Sequence, residues 1–172
     1  MSGGFLSRDF KWLKICMDSA KVFSTCAKRQ YAAYIVDEYG YQIGFGYNGV
    51  PKGMEHCVDN GCPRLAENST NGSDYSNCRS IHAESNCLLH SDYLARRNGC
   101  TLYVNGPPCF WCAKLIANSG VNRLVYIKDD SYIGFNESKM FMLEAGIVVI
   151  GYAKEEILEY METVNGNKSF RY

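Results

Sequence analysis

Along residues 8–27 the apolar side chains fall at Phe10, Leu13, Cys16, Met17, Ala20 and Phe23, mostly three or four positions apart, which predicts an amphipathic first helix. The period then shortens. YAAYIVD (31–37) and YQIGFGY (41–47) read as two strands around a turn at Glu38–Gly40, a hairpin. Ser80 is placed to cap a helix running to about Arg97, with Ile81, Leu88, Leu89 and Tyr93 on its inner side. TLYVNG (101–106) predicts a strand, CFWCAKLIANSG (109–120) a helix closed by Gly120, and VNRLVYI (121–127) a further strand. A helix over 136–145, a strand over 147–151 and a helix over 153–163 complete the pattern. Strands that alternate with helices after an opening hairpin imply an α/β fold. The expected form is a three-layer α/β/α sandwich around a central mixed sheet of about five strands.

One stretch resists this reading. From Asn48 to Asn77 the chain is rich in Gly, Asn and Ser and has no apolar period. A loop of that length inside a compact domain needs an anchor other than a hydrophobic core. No linker or repeat divides the chain, so residues 1–172 are expected to form one domain, with this loop, about 48–79, tethered to it.

Charge narrows the partners. Lysine plus arginine and aspartate plus glutamate both number 18, so no net field is available to hold a polyanion, and nucleic acid is an unlikely partner. No apolar run has the length of a membrane span or a signal peptide, which predicts a cytoplasmic protein with no membrane partner. The glycosylation tripeptides at Asn68, Asn71 and Asn136 carry no weight in that compartment. Nine cysteines in such a chain are to be explained by metal binding or burial, because cytosolic thiols are kept reduced.

The chemistry lies in CRSIHAESNC (78–87) and PPCFWC (107–112). His82, Cys109 and Cys112 supply three nitrogen and sulfur ligands, and a catalytic zinc keeps a fourth position for water. Both segments open predicted helices, whose free N–H groups and dipoles favour thiolates. Pro107 and Pro108 hold the chain out of helix just before Cys109. Glu84 stands too close to His82 to be a comfortable fourth ligand and is placed to carry protons instead. Either half alone is often structural; HxE followed by PCxxC is the known signature of zinc deaminases.

With CAKRQ (26–30), GYNGVPKG (46–53), HC (56–57), GC (61–62), CRSIHAESN (78–86) and PPCFWCAKLIANSG (107–120) in this order, the chain resembles the deoxycytidylate (dCMP) deaminases of the cytidine deaminase superfamily. The resemblance implies hydrolytic deamination of dCMP to dUMP and ammonia, supplying thymidylate synthesis, with Zn2+ as cofactor and a free nucleotide as substrate. AKLI after Cys112, where tRNA adenosine deaminases usually have Ala-Gly-Ala, points the same way. It further implies a homo-oligomer, a hexamer in many members, with dCTP and dTTP as effectors. Asn48, Ala83 and Tyr132 are implied as substrate contacts. Asn48 has a second reading as a left-handed turn residue before Gly49. For the phosphate the candidates are Arg29 and Lys52, as charge-assisted donors. Three segments depart from the family pattern: Tyr31-Ala32-Ala33 replaces Val-Gly-Ala, Tyr132 matches an expected aromatic only loosely, and Asn105-Gly106-Pro107 replaces Thr-Leu-Phe or Thr-His-Phe.

Cys57, Cys62 and Cys78 bracket the unexplained loop. A second, structural zinc held by these three would offset the loop's ordering entropy. Cys26 is the first choice of fourth ligand and His56 the alternative. Some phage and bacterial relatives are similar in holding such a zinc. Cys16, Cys87 and Cys100 read as core fillers, and His90 as a surface histidine. The alternatives to dCMP deamination are a 5-substituted dCMP, dCTP or a nucleoside as substrate, a nucleic-acid editing deaminase, and a zinc scaffold without catalysis.

Overall fold

The computed structural model describes residues 3–70, 75–96 and 99–166. Its sheet has strands β1 (Ala32–Asp37), β2 (Gln42–Tyr47), β3 (Cys100–Val104), β4 (Arg123–Ile127) and β5 (Val148–Tyr152), in the order β2-β1-β3-β4-β5. β1 runs antiparallel to both β2 and β3, while β3, β4 and β5 are parallel. The mixed five-stranded sheet is the expected one. Successive side chains face opposite layers. Ala33, Ile35, Leu102, Val104 and Leu124 pack with Ala83, Cys87, Ala113, Ile116 and Met142 on one face. Tyr34, Val36, Tyr103, Val125 and Ile127 meet Phe10, Leu13, Cys16, Met17 and Ile157 on the other.

The first face carries α4 (Ala83–Leu89), α6 (Phe110–Ala117) and α7 (Phe135–Glu144); the second carries α1 (Gly3–Phe23) and α8 (Lys154–Gly166). Among the described residues no helix is long and apolar enough to cross a membrane. α1 stops at Phe23, short of the expected 27. The Thr25 N–H and the Ser24 hydroxyl both donate to the Asn48 carbonyl and draw the chain out of the helix. Phe23 is half-exposed and stacks on Tyr47 of the outer strand.

The helix expected from Ser80 to about Arg97 is a second correction. His82, two residues later, is the N-cap, and the helix breaks after Leu89 before resuming as α5 (Tyr93–Arg96). Arg96 causes the fold-back: its guanidinium donates to the Leu88, Ser91 and Ser119 carbonyls, and the Asp92 carboxylate accepts from the Leu94 N–H. Leu89 and Tyr93 consequently face solvent, not the core. Arg97 lies outside the described residues.

The segment 48–79 is less shapeless than its composition suggests. Two short helices, α2 (Cys57–Asn60) and α3 (Pro63–Ala66), lie within it, with Cys57 and Arg64 buried. Its ends are joined by reciprocal backbone bonds between Gly49 and Ile81, at 3.2 and 2.8 Å. Cys16, Cys87 and Cys100 fill the core as expected, and His90 is exposed.

A buried ionic network fixes α1 to the sheet. Asp9, with no exposed surface, accepts two bonds from Arg123, at 2.9 and 2.5 Å, and one each from the Tyr103 and Tyr152 hydroxyls. Both carboxylate oxygens are thereby satisfied, the condition under which a buried charge is tolerated.

Candidate active site

Two helix starts converge on one point. His82 caps α4 and Cys109 caps α6, both in extended backbone. Pro107 and Pro108 are buried just ahead of Cys109. The placement of α4 depends on β2. A Cβ on Gly46 would stand 2.5 Å from the Ala83 carbonyl oxygen and closer still to the Cys87 nitrogen. The helix backbone therefore rests directly on the strand, and the Asn86 amide donates to the Tyr47 carbonyl beside it at 2.8 Å.

His82 Nδ1 lies 3.3 Å from Cys109 Sγ and 3.5 Å from Cys112 Sγ, and the three donor atoms fall within 4.8 Å of one another. A tetrahedral zinc, with bonds of about 2.3 Å to sulfur and about 2.05 Å to nitrogen, needs a nitrogen–sulfur separation of about 3.6 Å. The residues fit that ion, and a soft two-sulfur, one-nitrogen set suits it. Cys109 is the readier thiolate: the Cys112 thiol and the His82 ring bond to it and pull its pKa down. Cys112 moves upward, since it donates to Cys109 and is buried. Burial pushes His82 down, but its bond to Cys109 and the nearby Glu84 charge outweigh this and the net shift is upward.

Glu84 is buried beside this triad, and loss of solvent pushes its carboxyl up to about 7, against the lowering effect of His82. A carboxyl poised there accepts and returns a proton near neutral pH. Glu84, His82 and Cys109 line one pocket together with Asn48, Arg29 and Tyr132. The Asn48 amide oxygen accepts from the Tyr31 N–H and the Ser24 hydroxyl, and its nitrogen donates to the Arg29 carbonyl. Asn48 is not left-handed; among non-glycine residues described, only Asn68 has a positive φ. Arg29 pairs with Asp129 at 3.3 Å. Ala83 is packed into the core with no exposed surface and is not among the residues lining this pocket. Lys52 sits on an exposed turn and is not among the residues lining this pocket.

Three lining residues escaped the sequence reading: Lys28, Arg64 and Tyr75. The Arg64 guanidinium lies 4.2 Å from the Tyr75 ring centroid and donates to the Thr70 carbonyl. An arginine and a tyrosine inside a Gly/Asn/Ser-rich stretch were the available signal. Two of the departures from the family pattern explain each other. A side chain at Gly106 would collide with the Tyr31 ring, so the glycine of NGP makes room for the tyrosine that replaces valine. Asn105 then joins this wall to β1, accepting from the Ala32 N–H and donating to the Gln30 carbonyl.

The second set of thiols is looser. Cys26 and Cys57 are buried, and Cys62 and Cys78 half-buried. Cys57 is pushed up by burial and then by the charges of Cys62, Cys26 and Cys78, so the four are neighbours. Among the described residues, no three of them bring their sulfurs within 4.8 Å of one another. His56 is exposed at the start of α2.

Residues 6–128 match the cytidine and deoxycytidylate deaminase zinc-binding region. The chain belongs to this family. It is 41% identical over 113 residues to the deoxycytidylate deaminase of Mycobacterium phage D29, a match covering 62% of this chain and 84% of the phage protein. It is 35% identical over 126 residues to that of Saccharomyces cerevisiae, covering 73% of this chain but only 39% of the yeast protein. Among solved structures, the dCMP deaminase of cyanophage S-TIM5 in complex with dCMP and dUMP superposes with a TM-score of 0.64 at 24% identity, covering 88% of this chain and 99% of that one. Acinetobacter baumannii RibD gives 0.59 at 20% identity, covering 92% of this chain and 38% of that one. These two superpositions establish the deaminase fold.

Proposed function

We propose that this deaminase hydrolyses dCMP to dUMP and ammonia. The observation that carries the reading is a buried Glu84 beside the His82–Cys109–Cys112 triad, with Glu84, His82 and Cys109 lining one pocket that cations also line. The name shared by relatives at 30% identity and above, most of them deoxycytidylate deaminases, supports the substrate. Zinc held by His82, Cys109 and Cys112 supplies the Lewis acidity that makes water a nucleophile near neutral pH. Glu84 takes a proton from the attacking water and delivers it to the ring nitrogen next to the reacting carbon. It then takes the second proton from the new hydroxyl group and passes it to the exocyclic amine, so that a carbonyl forms as the carbon–nitrogen bond breaks and ammonia leaves. The Asn48 amide, held by three bonds, orients the nucleotide. Arg29, aided by Lys28 and Arg64 rather than Lys52, faces its phosphate.

The same reading extends to assembly and to the long loop. The α4–α6–α7 side exposes Trp111, Leu115, Met140 and Leu143, an apolar surface of the kind that homo-oligomers cover; a hexamer with dCTP and dTTP as effectors is the form proposed. A second zinc on Cys26, Cys57, Cys62 and Cys78 draws those thiols together and tethers the loop, with the whole chain acting as one cytoplasmic domain. The deciding experiment is ammonia release from a panel of dCMP, dCTP, 5-methyl-dCMP, deoxycytidine and a single-stranded oligonucleotide, with and without dCTP. Wild type should turn over dCMP fastest, and Glu84→Gln should keep its zinc while losing turnover. Preference for the oligonucleotide, or full activity in Glu84→Gln, would overturn the reading.

A further inference from the structure

The nucleotide pocket reaches only part of the metal site. His82, Glu84 and Cys109 line it, but Cys112 does not. Cys112 is buried and borders a second cleft, shared with His82, Cys109, Trp111 and Ser85. Ser85 follows the proton carrier by one position in α4, and one residue along a helix turns a side chain by about 100°. Glu84 thus faces the nucleotide pocket while Ser85 faces α6.

The Ser85 hydroxyl stands 3.5 Å from Cys112 Sγ. Among the described residues this sulfur is its only hydrogen-bond partner. A serine in the first turn of a helix can satisfy its hydroxyl on nearby backbone; this one reaches across to the neighbouring helix instead. While Cys112 carries its proton, either atom can donate. A zinc ligand has given that proton up, so the hydroxyl becomes the donor. Two thiolates and the Glu84 carboxylate then lie together, and a donor that adds no charge of its own relieves the repulsion among them. An oriented partner of this kind fixes a ligand's direction and tunes the metal it serves.

We propose that Ser85 is a positioning residue of the metal centre: its hydroxyl donates to Cys112 Sγ, aims that thiolate at the ion and draws off part of its negative charge. A sulfur that gives less charge leaves the zinc a stronger Lewis acid. Ser85 is not among the residues lining the nucleotide pocket. Its loss should therefore slow the reaction without weakening substrate binding. The kinetic part of this inference rests on the proposed deamination of dCMP at the same site.

Threonine and valine share one shape and differ only in the hydroxyl, and the cleft of about 240 Å³ beside Ser85 has room for their added methyl. Ser85→Thr should behave as wild type. Ser85→Val should bind zinc about 10-fold more weakly in competition with a chelator, the low end of what outer partners of a metal site contribute. Once saturated with zinc, it should show a kcat for dCMP about 10-fold lower, with KM within about 2-fold of wild type. In cobalt(II)-substituted protein the sulfur-to-metal charge-transfer band should move to lower energy in Ser85→Val, because a thiolate without its donor gives up electrons more readily, and return in Ser85→Thr. Ser85→Ala, free of the added methyl, should move the band the same way. A wild-type band and wild-type metal affinity in Ser85→Val would overturn the proposal, as would a Ser85→Thr variant as impaired as Ser85→Val. A fall in kcat with an unmoved band would mark Ser85 as merely structural and overturn it too. If wild-type protein deaminated no cytosine nucleotide, the substrate reading would fall alone; the band and the affinity, which need no substrate, would still decide for or against Ser85.

Discussion

Gly46→Ala puts the positioning of the metal site under direct strain. Gly46 has no positive φ, so its backbone accommodates alanine, and relief of glycine's conformational entropy would by itself favour the change by about 0.5–1 kcal/mol. The new methyl, however, meets the Ala83 carbonyl oxygen at 2.5 Å and the Asn86 carbonyl carbon at 2.8 Å, both backbone atoms of α4. Restoring an ordinary 3.4 Å contact to the oxygen alone requires a displacement of 0.9 Å, the difference between the two distances. Overpacking of a well-filled core costs about 1–3 kcal/mol, and fixed backbone obstacles place this site at the upper end. At about 2–4 °C per kcal/mol for a chain of this size, the melting temperature should fall by roughly 6–12 °C. His82 and Glu84 ride on the displaced helix, and a misplacement of about 1 Å can cost about 100-fold in rate, so kcat/KM should fall by that order. Calorimetry of zinc-loaded and chelator-treated protein checks the chain of reasoning. The loaded form should lose more of its melting temperature, because the shift also spoils the ligand set. A variant with wild-type melting, zinc content and turnover would refute the claim that strand β2 positions the site.

Arg123→Ala leaves Asp9 fully buried with only tyrosine hydroxyls, and denaturant titration should show a loss of about 3–5 kcal/mol, the usual cost of breaking a buried pair. Wild-type protein should hold two zinc ions per chain and Cys62→Ser one, with lower melting but more residual turnover than Cys109→Ser; one zinc per chain in fully active wild type would remove the second site. In chelator-treated protein, the Glu84 carboxyl, raised by burial from 4.5 to about 7, favours folding below its unfolded pKa and loses that contribution as pH climbs toward 7. Glu84→Gln should therefore gain stability over wild type as pH rises from 4.5 to 7, and parallel stability–pH curves for the two would contradict this.

The sheet was legible because its signal is local. Short unbroken apolar runs at Tyr34, Ile35 and Val36, and again at Leu102, Tyr103 and Val104, mark strands covered on both faces and need no knowledge of partners. The metal triad was legible for a chemical reason: few uses other than zinc explain HxE and PCxxC together. What escaped depended on distant contacts. The break after Leu89 is set by Arg96 reaching the Ser119 carbonyl, and the end of α1 by Asn48 accepting from Ser24 and Thr25. Tyr75 and Arg64 lie in a segment whose composition signals only a loop, and no period shows which of its side chains turn inward. Lys52 had the charge expected of a phosphate contact but sits on a turn away from the pocket.

The reciprocal backbone bonds between Gly49 and Ile81 act as a seam. On one side of it lie the ligands and the proton carrier, at helix starts braced by the sheet. On the other lies a stretch that lends the pocket Arg64 and Tyr75. Lengthening a loop costs little, about 0.6 kcal/mol per doubling, provided its ends stay put. Descendants of this scaffold can therefore rewrite the stretch between the stitches, by insertion or deletion, and so change which ring is admitted without retuning how the reaction is done. Admission and reaction are heritable separately, which makes the loop the natural place for new substrates to be tried.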